Sequence, residues 1–115
     1  MGNIRKLTNE DPDFYQLMGP FLSRREIVKE LGFPVWDEDG KTWYLYLGTQ
    51  GDVQGFAATR PESKGTLFCS AYVLPKHRKQ RIYEALILAR LTDNPGVCLT
   101  TATQASRRSL ERHGF

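Results

Sequence analysis

Positively charged residues are concentrated in one short stretch of the chain. Four of them lie within six residues: Lys76, Arg78, Lys79 and Arg81. The apolar residues Thr66–Val73 before this stretch predict a strand, and the spacing of Ile82, Leu86 and Ala89 after it predicts a helix. At a strand–helix turn, the unpaired N–H groups and the positive end of the helix dipole favour an anion. A phosphate or diphosphate is therefore the predicted ligand, and a solvent-exposed basic loop is the alternative.

Length and composition indicate one soluble domain, residues 1–115. Hydrophobic residues make up 40% of the chain and charged residues 25%, which excludes a disordered protein. The net charge of +3 is compatible with an anionic ligand but is no nucleic-acid signature by itself. No apolar run approaches the roughly 18 residues of a membrane span, and the N-terminus lacks the apolar core of a signal peptide.

Cysteine and histidine spacing argues against a disulfide framework and a zinc site. Cys69 and Cys98 each lie in an apolar stretch, which predicts two buried, reduced thiols. Two cysteines and two histidines far apart do not give zinc-ligand spacing. We therefore expect a cytoplasmic protein without a metal.

The predicted elements follow the order strand, helix, helix, three strands, helix, strand, helix. The predicted strands are Asn3–Leu7, Trp43–Leu47, Val53–Thr59, Thr66–Val73 and Val97–Thr101. The three middle strands are joined by short turns, Gly48–Asp52 and Pro61–Gly65, which predicts an antiparallel meander. The last strand is reached through a helix, so we expect it to run parallel to the strand that ends at Val73.

Helix signals surround these strands. The predicted helices run from Asp11-Pro12-Asp13 to Gly19-Pro20, from the capping box Ser23/Glu26 to Gly32, from after Pro75 to Asp93-Asn94-Pro95-Gly96, and from Thr103 to His113. Ile27, Val28 and Leu31 supply one apolar face of the second helix. The third helix is apolar enough to be largely buried.

Two segments resemble motifs of the GNAT superfamily of acyl-CoA-dependent N-acyltransferases. Val73, Pro75, Arg78 and Leu86 match motif A, which reads roughly V-x-P-x-x-R-x-x-G-x-G/A-x-x-L. The ending Ser109–Phe115 is similar to the motif B helix, which commonly closes on Gly-Phe. The resemblance implies an α+β fold with a mixed sheet, order β-α-α-β-β-β-α-β-α, mostly antiparallel with one parallel pair after motif A.

The resemblance also implies a reaction and its substrates. It implies transfer of an acetyl or other short acyl group from acyl-coenzyme A to an amine by direct attack, with acetyl-CoA as acyl donor. Backbone groups at the strand end would hold the pantetheine arm and the acyl carbonyl, and the following turn would hold the diphosphate. The residues implied for the pantetheine arm and the acyl carbonyl are Ala71, Tyr72 and Val73. Those implied for the diphosphate are Arg78, Lys79, Gln80, Arg81, Ile82 and Tyr83.

The chain departs from the family pattern in both motifs. Arg81 and Tyr83 replace the motif A glycines, which let the backbone approach the phosphates. We expect both residues to keep helical dihedrals, and Arg81 offers a guanidinium for a phosphate oxygen. Leu110 stands where motif B has a tyrosine that protonates the leaving thiolate, so the substitute acids to consider are Tyr72, Ser106 and Ser109.

A base must deprotonate the acceptor ammonium. His77 and Tyr72 are the candidates nearest in sequence to the thioester, acting through water, whereas Glu84 lies beyond the turn. The predicted catalytic residues are therefore Tyr72, His77 and Ser109.

The acceptor and the assembly are left open by the sequence. The acceptor amine belongs to a small molecule, a protein or a nucleic acid, and Arg24, Arg25, Arg107, Arg108 and Arg112 would suit a nucleic acid. The family continues with two strands after Gly-Phe, so a chain ending at Phe115 would expose a sheet edge that a homodimer partner could cover. The alternative function is an inactive GNAT-like module that binds coenzyme A or nucleic-acid phosphate.

Overall fold

The computed structural model describes residues 3–22, 24–31, 35, 37, 39–78, 80–96 and 98–100, the last three by their backbone only. Its strands are β1 (Asn3–Leu7), β2 (Thr42–Leu47), β3 (Val53–Glu62), β4 (Gly65–Val73) and β5 (Cys98–Thr100). They form one sheet in the order β1-β2-β3-β4-β5. The first three pairings are antiparallel, and β4 pairs with β5 in parallel. The predicted meander and mixed sheet are confirmed.

The turn between β3 and β4 is shorter than the sequence predicts. Pro61 and Glu62 were expected in a turn, but they extend β3 and pair with Thr66 and Gly65. The pairing of β3 with β2 ends at Thr59, so this extension has a partner on one side only. A proline is tolerated there because no second ladder needs its missing N–H group.

Among the described residues, three α-helices cover the two faces of the sheet: α1 (Phe14–Leu22), α2 (Arg25–Leu31) and α3 (Ile82–Asp93). The predicted end of the first helix at Gly19-Pro20 is wrong, because α1 continues to Leu22 with Pro20 inside it. Packing explains the extension. The ring of Phe21 is buried with its centroid 5.7 Å from that of Phe56, so tertiary burial outweighs the hydrogen bond that Pro20 cannot make.

Each helix lies where its apolar face can be buried. Alternate residues of β2 point to opposite faces: Trp43 and Leu45 join the core beneath α1 and α2, and Tyr44 joins the core beneath α3. Ile27 is buried in α2, whereas its predicted caps, Ser23 and Gly32, lie outside the described residues. The predicted helix Thr103–His113 also lies outside them.

A bulge in β4 sets the orientation of the strand end. Ser70 and Ala71 together lie opposite Ala57, because Phe56 pairs with Tyr72 and Ala58 pairs with Cys69. Ser70 has a φ of 54°, and its Oγ accepts a hydrogen bond from the buried Lys41 Nζ at 3.0 Å. After the bulge, the Tyr72 side chain lies on the α1–α2 face and that of Val73 lies on the α3 face.

In the described part of the chain, no helix is long and apolar enough to cross a membrane.

Candidate functional site

The C-terminal end of β4 directs backbone groups away from β3. Leu74 N donates to Gln54 O at 3.0 Å, and Val73 lies opposite Gly55. Neighbouring residues of an antiparallel strand point their backbone groups to opposite sides, so the N–H and C=O of Val73 point toward the β5 side. The pairing of β4 with the described residues of β5 covers only Thr66–Phe68. The residues predicted to bind the pantetheine arm, Ala71–Val73, therefore lie beyond that pairing.

A short turn connects β4 to α3. Residues Pro75–His77 form one turn of 3₁₀ helix, in which His77 N donates to Leu74 O at 2.9 Å. The half-buried side chain of His77 and the exposed side chains of Gln80 and Arg81 belong to this connection. The turn thus brings these predicted site residues to the end of β4.

Arg81 adopts the backbone conformation that favours glycine. It caps α3 with φ 60° and ψ 24°, in the left-handed region, so the expectation that it keeps right-handed helical dihedrals is wrong. For a residue with a Cβ this conformation costs about 1–2 kcal/mol. The path of the chain from the turn into the helix therefore imposes the left-handed conformation despite the side chain.

Tyr83 keeps the helical conformation that the sequence predicts. It lies in the first turn of α3, and its half-buried side chain packs against the core between α3 and the sheet. Ile82 is buried, with 1% of its surface exposed, so only its backbone is available to a ligand. Ala85 N donates to the carbonyl oxygen of the N-cap residue Arg81 at 3.1 Å. The N–H groups of the preceding residues form the positive end of the helix dipole.

Gly55 allows α3 to begin close to the sheet. A Cβ at this position would lie 3.0 Å from Ile82 Cγ2 and 3.2 Å from the Tyr72 carbonyl oxygen. The absence of a side chain therefore brings the start of α3 against the strand pair that ends at Val73. The helix N-terminus and the Val73 backbone groups share one end of the sheet as a result.

Arg78, Glu30 and Tyr72 form a hydrogen-bonded network at this end. Arg78 donates from Nη2 to Glu30 Oε2 at 2.7 Å and from Nε to Val73 O at 2.9 Å. Tyr72 Oη donates to Glu30 Oε1 at 2.9 Å, and the Arg78 guanidinium lies 5.3 Å from the centre of the Tyr72 ring. We call these three residues the Arg78 network. It ties α2 to the strand end and to the turn.

The network shifts the acidity of its members in opposite directions. The hydrogen bond from Arg78, followed by that from Tyr72, lowers the pKa of Glu30. Burial, followed by the bond to Glu30, raises the pKa of the Tyr72 phenol. Tyr72 therefore keeps its proton at neutral pH, which favours a role as proton donor over a role as base.

Two of the predicted site residues, Lys79 and Ser109, lie outside the described residues. Cys69, one of the two predicted buried thiols, is a half-buried free thiol whose pKa is raised chiefly by burial. A raised pKa makes Cys69 a poor nucleophile.

Glu30 is the site residue that sequence reasoning missed. It lies 42 positions from Tyr72 and 48 from Arg78, and no motif marks it. The only local signal is its place one turn after Glu26 of the capping box, on an exposed face of α2. The packing of α2 on the sheet, which is a tertiary property, brings Glu30 to the strand end.

No family model and no curated protein matches this chain. Solved structures do. A predicted acetyltransferase from Clostridium acetobutylicum, solved with acetyl-CoA, is 15% identical with a TM-score of 0.72, covering 100% of this chain and 90% of that one. A GNAT-family acetyltransferase from Streptococcus pneumoniae is 18% identical with a TM-score of 0.68, covering 100% and 87%. A ribosomal-protein-alanine N-acetyltransferase from Brucella melitensis is 17% identical with a TM-score of 0.67, covering 97% and 87%.

Proposed function

We propose that this chain, which has the GNAT fold, is an N-acyltransferase that moves an acetyl or other short acyl group from acyl-coenzyme A to an amine. The observation that carries the proposal is the end of β4. There the backbone groups of Val73 point away from β3, next to a turn that carries Arg78 and leads into the α3 N-terminus. An extended amide chain ending in a diphosphate fits this combination of backbone groups and positive charge.

Each part of the site would bind a different part of the donor. The backbone of Ala71 and the N–H of Val73 would bind the pantetheine arm and orient the thioester carbonyl. The predicted contribution of the Tyr72 backbone is dropped, because its groups face β3, and Val73 O already accepts a bond from Arg78 Nε. Side chains of the turn and the first amides of α3 would bind the diphosphate: Arg78, Lys79, Gln80, Arg81, Ile82 and Tyr83. The predicted acetyltransferase from Clostridium acetobutylicum was solved with acetyl-CoA, which supports a coenzyme A derivative as the proposed ligand.

The reaction would be a direct acyl transfer. The amine nitrogen attacks the thioester carbonyl carbon, a C–N bond forms, and the tetrahedral intermediate collapses as the C–S bond breaks. The ammonium must lose a proton before attack, for which His77 acting through water is the proposed base. The leaving thiolate must gain a proton, for which Tyr72 is a proposed donor because its phenol is protonated at neutral pH; Ser109 is the other. Alignment of the two reactants supplies much of the rate in such a site.

The acceptor, the cytoplasmic location and the homodimer stay predictions. The proposed acceptor is an amine on a small molecule, a protein or a nucleic acid. By its name, the Brucella melitensis structure is a ribosomal-protein-alanine N-acetyltransferase, and this name does not assign an acceptor to the present chain.

Calorimetric titration with acetyl-CoA tests the donor site. The wild type is expected to bind, and Arg78→Ala combined with Arg81→Ala is expected to bind at least tenfold more weakly because two positive charges at the turn are removed. Arg25→Ala, an exposed arginine on α2, is the matched control and should leave the affinity unchanged. Absence of binding by the wild type would contradict the proposal.

Release of free thiol from acetyl-CoA in the presence of candidate amines tests the reaction itself. Turnover with at least one peptide, polyamine or nucleic-acid amine is the expected result. Binding of acetyl-CoA without thiol release across all three classes would instead support the alternative, an inactive coenzyme A-binding module.

A further inference from the structure

Arg78, the central cation of the proposed diphosphate site, is already bound by a carboxylate of the same chain. Its Nη2 donates to Glu30 Oε2 at 2.7 Å, and its Nε donates to Val73 O at 2.9 Å. A guanidinium has five N–H donors, and these two bonds use two of its nitrogens. Glu30 takes one of the two N–H groups of Nη2, so a diphosphate that approaches this side of Arg78 meets a carboxylate of like charge that already holds the guanidinium.

We propose that Glu30 is an internal competitor for the diphosphate of acyl-CoA: the ligand takes the Nη2 side of Arg78, and Glu30 releases it. The inference rests on the proposed function, because it requires a diphosphate at Arg78. It adds a residue on α2 that sets the affinity for the donor from outside the strand–turn–helix motif.

The structure allows this exchange at low cost. The side chains of Arg78 and Glu30 are 43% and 44% exposed, so the ion pair can open without unburying the core. The bond from Arg78 Nε to Val73 O would keep the guanidinium at the turn while Nη2 changes partner. Until the thiolate forms and takes the phenol proton, the bond from Tyr72 Oη would keep Glu30 in place through Oε1 after Oε2 is released.

The exchange also predicts whether donor affinity rises or falls when the charge of Glu30 is removed. In the absence of ligand, the Glu30 carboxylate neutralises Arg78 and stabilises the ligand-free state. A ligand that replaces Glu30 gains one charge-assisted bond only by breaking another. Removal of the Glu30 charge should therefore strengthen donor binding, whereas a residue that merely positions Arg78 would weaken it when removed.

Calorimetric titration with coenzyme A of the wild type, Glu30→Gln and Glu26→Gln tests the proposal. Glu30→Gln is expected to bind about two- to fivefold more tightly, the range expected for an exposed ion pair. The glutamine amide oxygen can still accept the bond from Tyr72 Oη. Glu26→Gln is the matched control, because it removes the same charge from an exposed position one turn earlier on α2 and should leave the affinity unchanged.

A second measurement tests whether Glu30 acts on the coenzyme A affinity through Arg78. In an Arg78→Ala background, Glu30→Gln should leave the coenzyme A affinity unchanged, because the shared partner is missing. Thermal unfolding of each variant shows that it is folded. The proposal would be overturned if Glu30→Gln bound coenzyme A only as tightly as Glu26→Gln does, or more weakly than the wild type. It would also be overturned if Glu30→Gln increased the affinity in the Arg78→Ala background. Those outcomes leave the proposed function standing, whereas a wild type that binds no coenzyme A removes both.

Discussion

Two regions of the molecule contain the same three kinds of group, a phenol, a carboxylate and a cation, with different surroundings. In the Arg78 network, Tyr72 and Arg78 share Glu30 at the end of β4. On the opposite face of the sheet, Tyr44 Oη donates to Asp93 Oδ2 at 2.8 Å, and Lys6 Nζ lies 3.1 Å from the same oxygen. We call Tyr44, Asp93 and Lys6 the Asp93 network.

The Asp93 network lies at the last residue of α3 and ties the helix to β1 and β2. The cation of this network, Lys6, contacts the Asp93 carboxylate and lies on β1, away from the proposed site at the end of β4. In the Arg78 network the cation also binds the Val73 carbonyl beside the start of α3. Residue types alone therefore do not make a site. The backbone groups at the strand end distinguish the two networks.

Replacement of the cation in each network should give the largest difference between them. Arg78→Ala is expected to weaken acetyl-CoA binding about 10- to 100-fold, because a charged hydrogen bond to the diphosphate is lost. Lys6→Ala should leave the affinity unchanged, since Lys6 lies on β1, away from the turn. Calorimetry on both variants checks this prediction, and equal losses would show that the two networks do not differ in function.

Removal of each phenol hydroxyl should separate stability from turnover. Tyr44→Phe is expected to lower the free energy of unfolding by about 1 kcal/mol, the typical value of a buried hydrogen bond, and to leave acetyl-CoA turnover unchanged. Tyr72→Phe should lower turnover with little change in acetyl-CoA affinity, because the proposed proton donor is lost. Urea unfolding and thiol-release assays measure the two effects. An unaltered turnover number in Tyr72→Phe would assign proton donation to another residue.

High pH should act on the Asp93 network through Tyr44. Burial and the bond to Asp93 raise the pKa of Tyr44 to about 12, from an unfolded value of about 10. A raised pKa means that the stabilisation is complete below pH 10 and is lost as the pH rises through 12. Phenolate absorbance during an alkaline titration should show an ionisation step near pH 12, which Tyr44→Phe removes. A late step that persists in that variant would contradict the assignment.

Low pH should have the smallest effect and should act on both networks. The pKa values of Glu30 and Asp93 are lowered, chiefly by the Arg78 and Tyr44 hydrogen bonds respectively. A lowered pKa contributes stability above the unfolded value, about 4, and that stability is lost as the pH falls through the folded value. Both carboxylates are more than one-third exposed, so solvent screening keeps the contribution small. Urea unfolding between pH 6 and about 2 should show a shallower decline for Glu30→Gln; an unchanged decline would argue against the Arg78 pairing in solution.

Most of the framework could be predicted from local patterns. Apolar runs and turns located β1, β2 and the meander, and the Asn94-Pro95-Gly96 signal located the end of α3. The errors arose where tertiary packing decides the outcome. Burial of Phe21 carries α1 past Pro20, and the path into α3 forces Arg81 into a left-handed conformation.

The candidate site was only partly predictable for the same reason. The end of β4 and the basic turn are contiguous in sequence, so a motif could mark Val73 and Arg78. Glu30 contributes through the packing of α2 on the sheet, and a contact across 48 positions leaves no local pattern. Sequence reasoning therefore marked residues of the proposed donor site but missed the carboxylate that pairs with Arg78.

A crystal structure of the chain soaked with coenzyme A tests the central claim most directly. We predict a diphosphate bound between Arg78 and the first amides of α3, with the pantetheine arm extended along the Val73 backbone. Electron density for the ligand at any other surface, with this end of the sheet unchanged, would contradict the account.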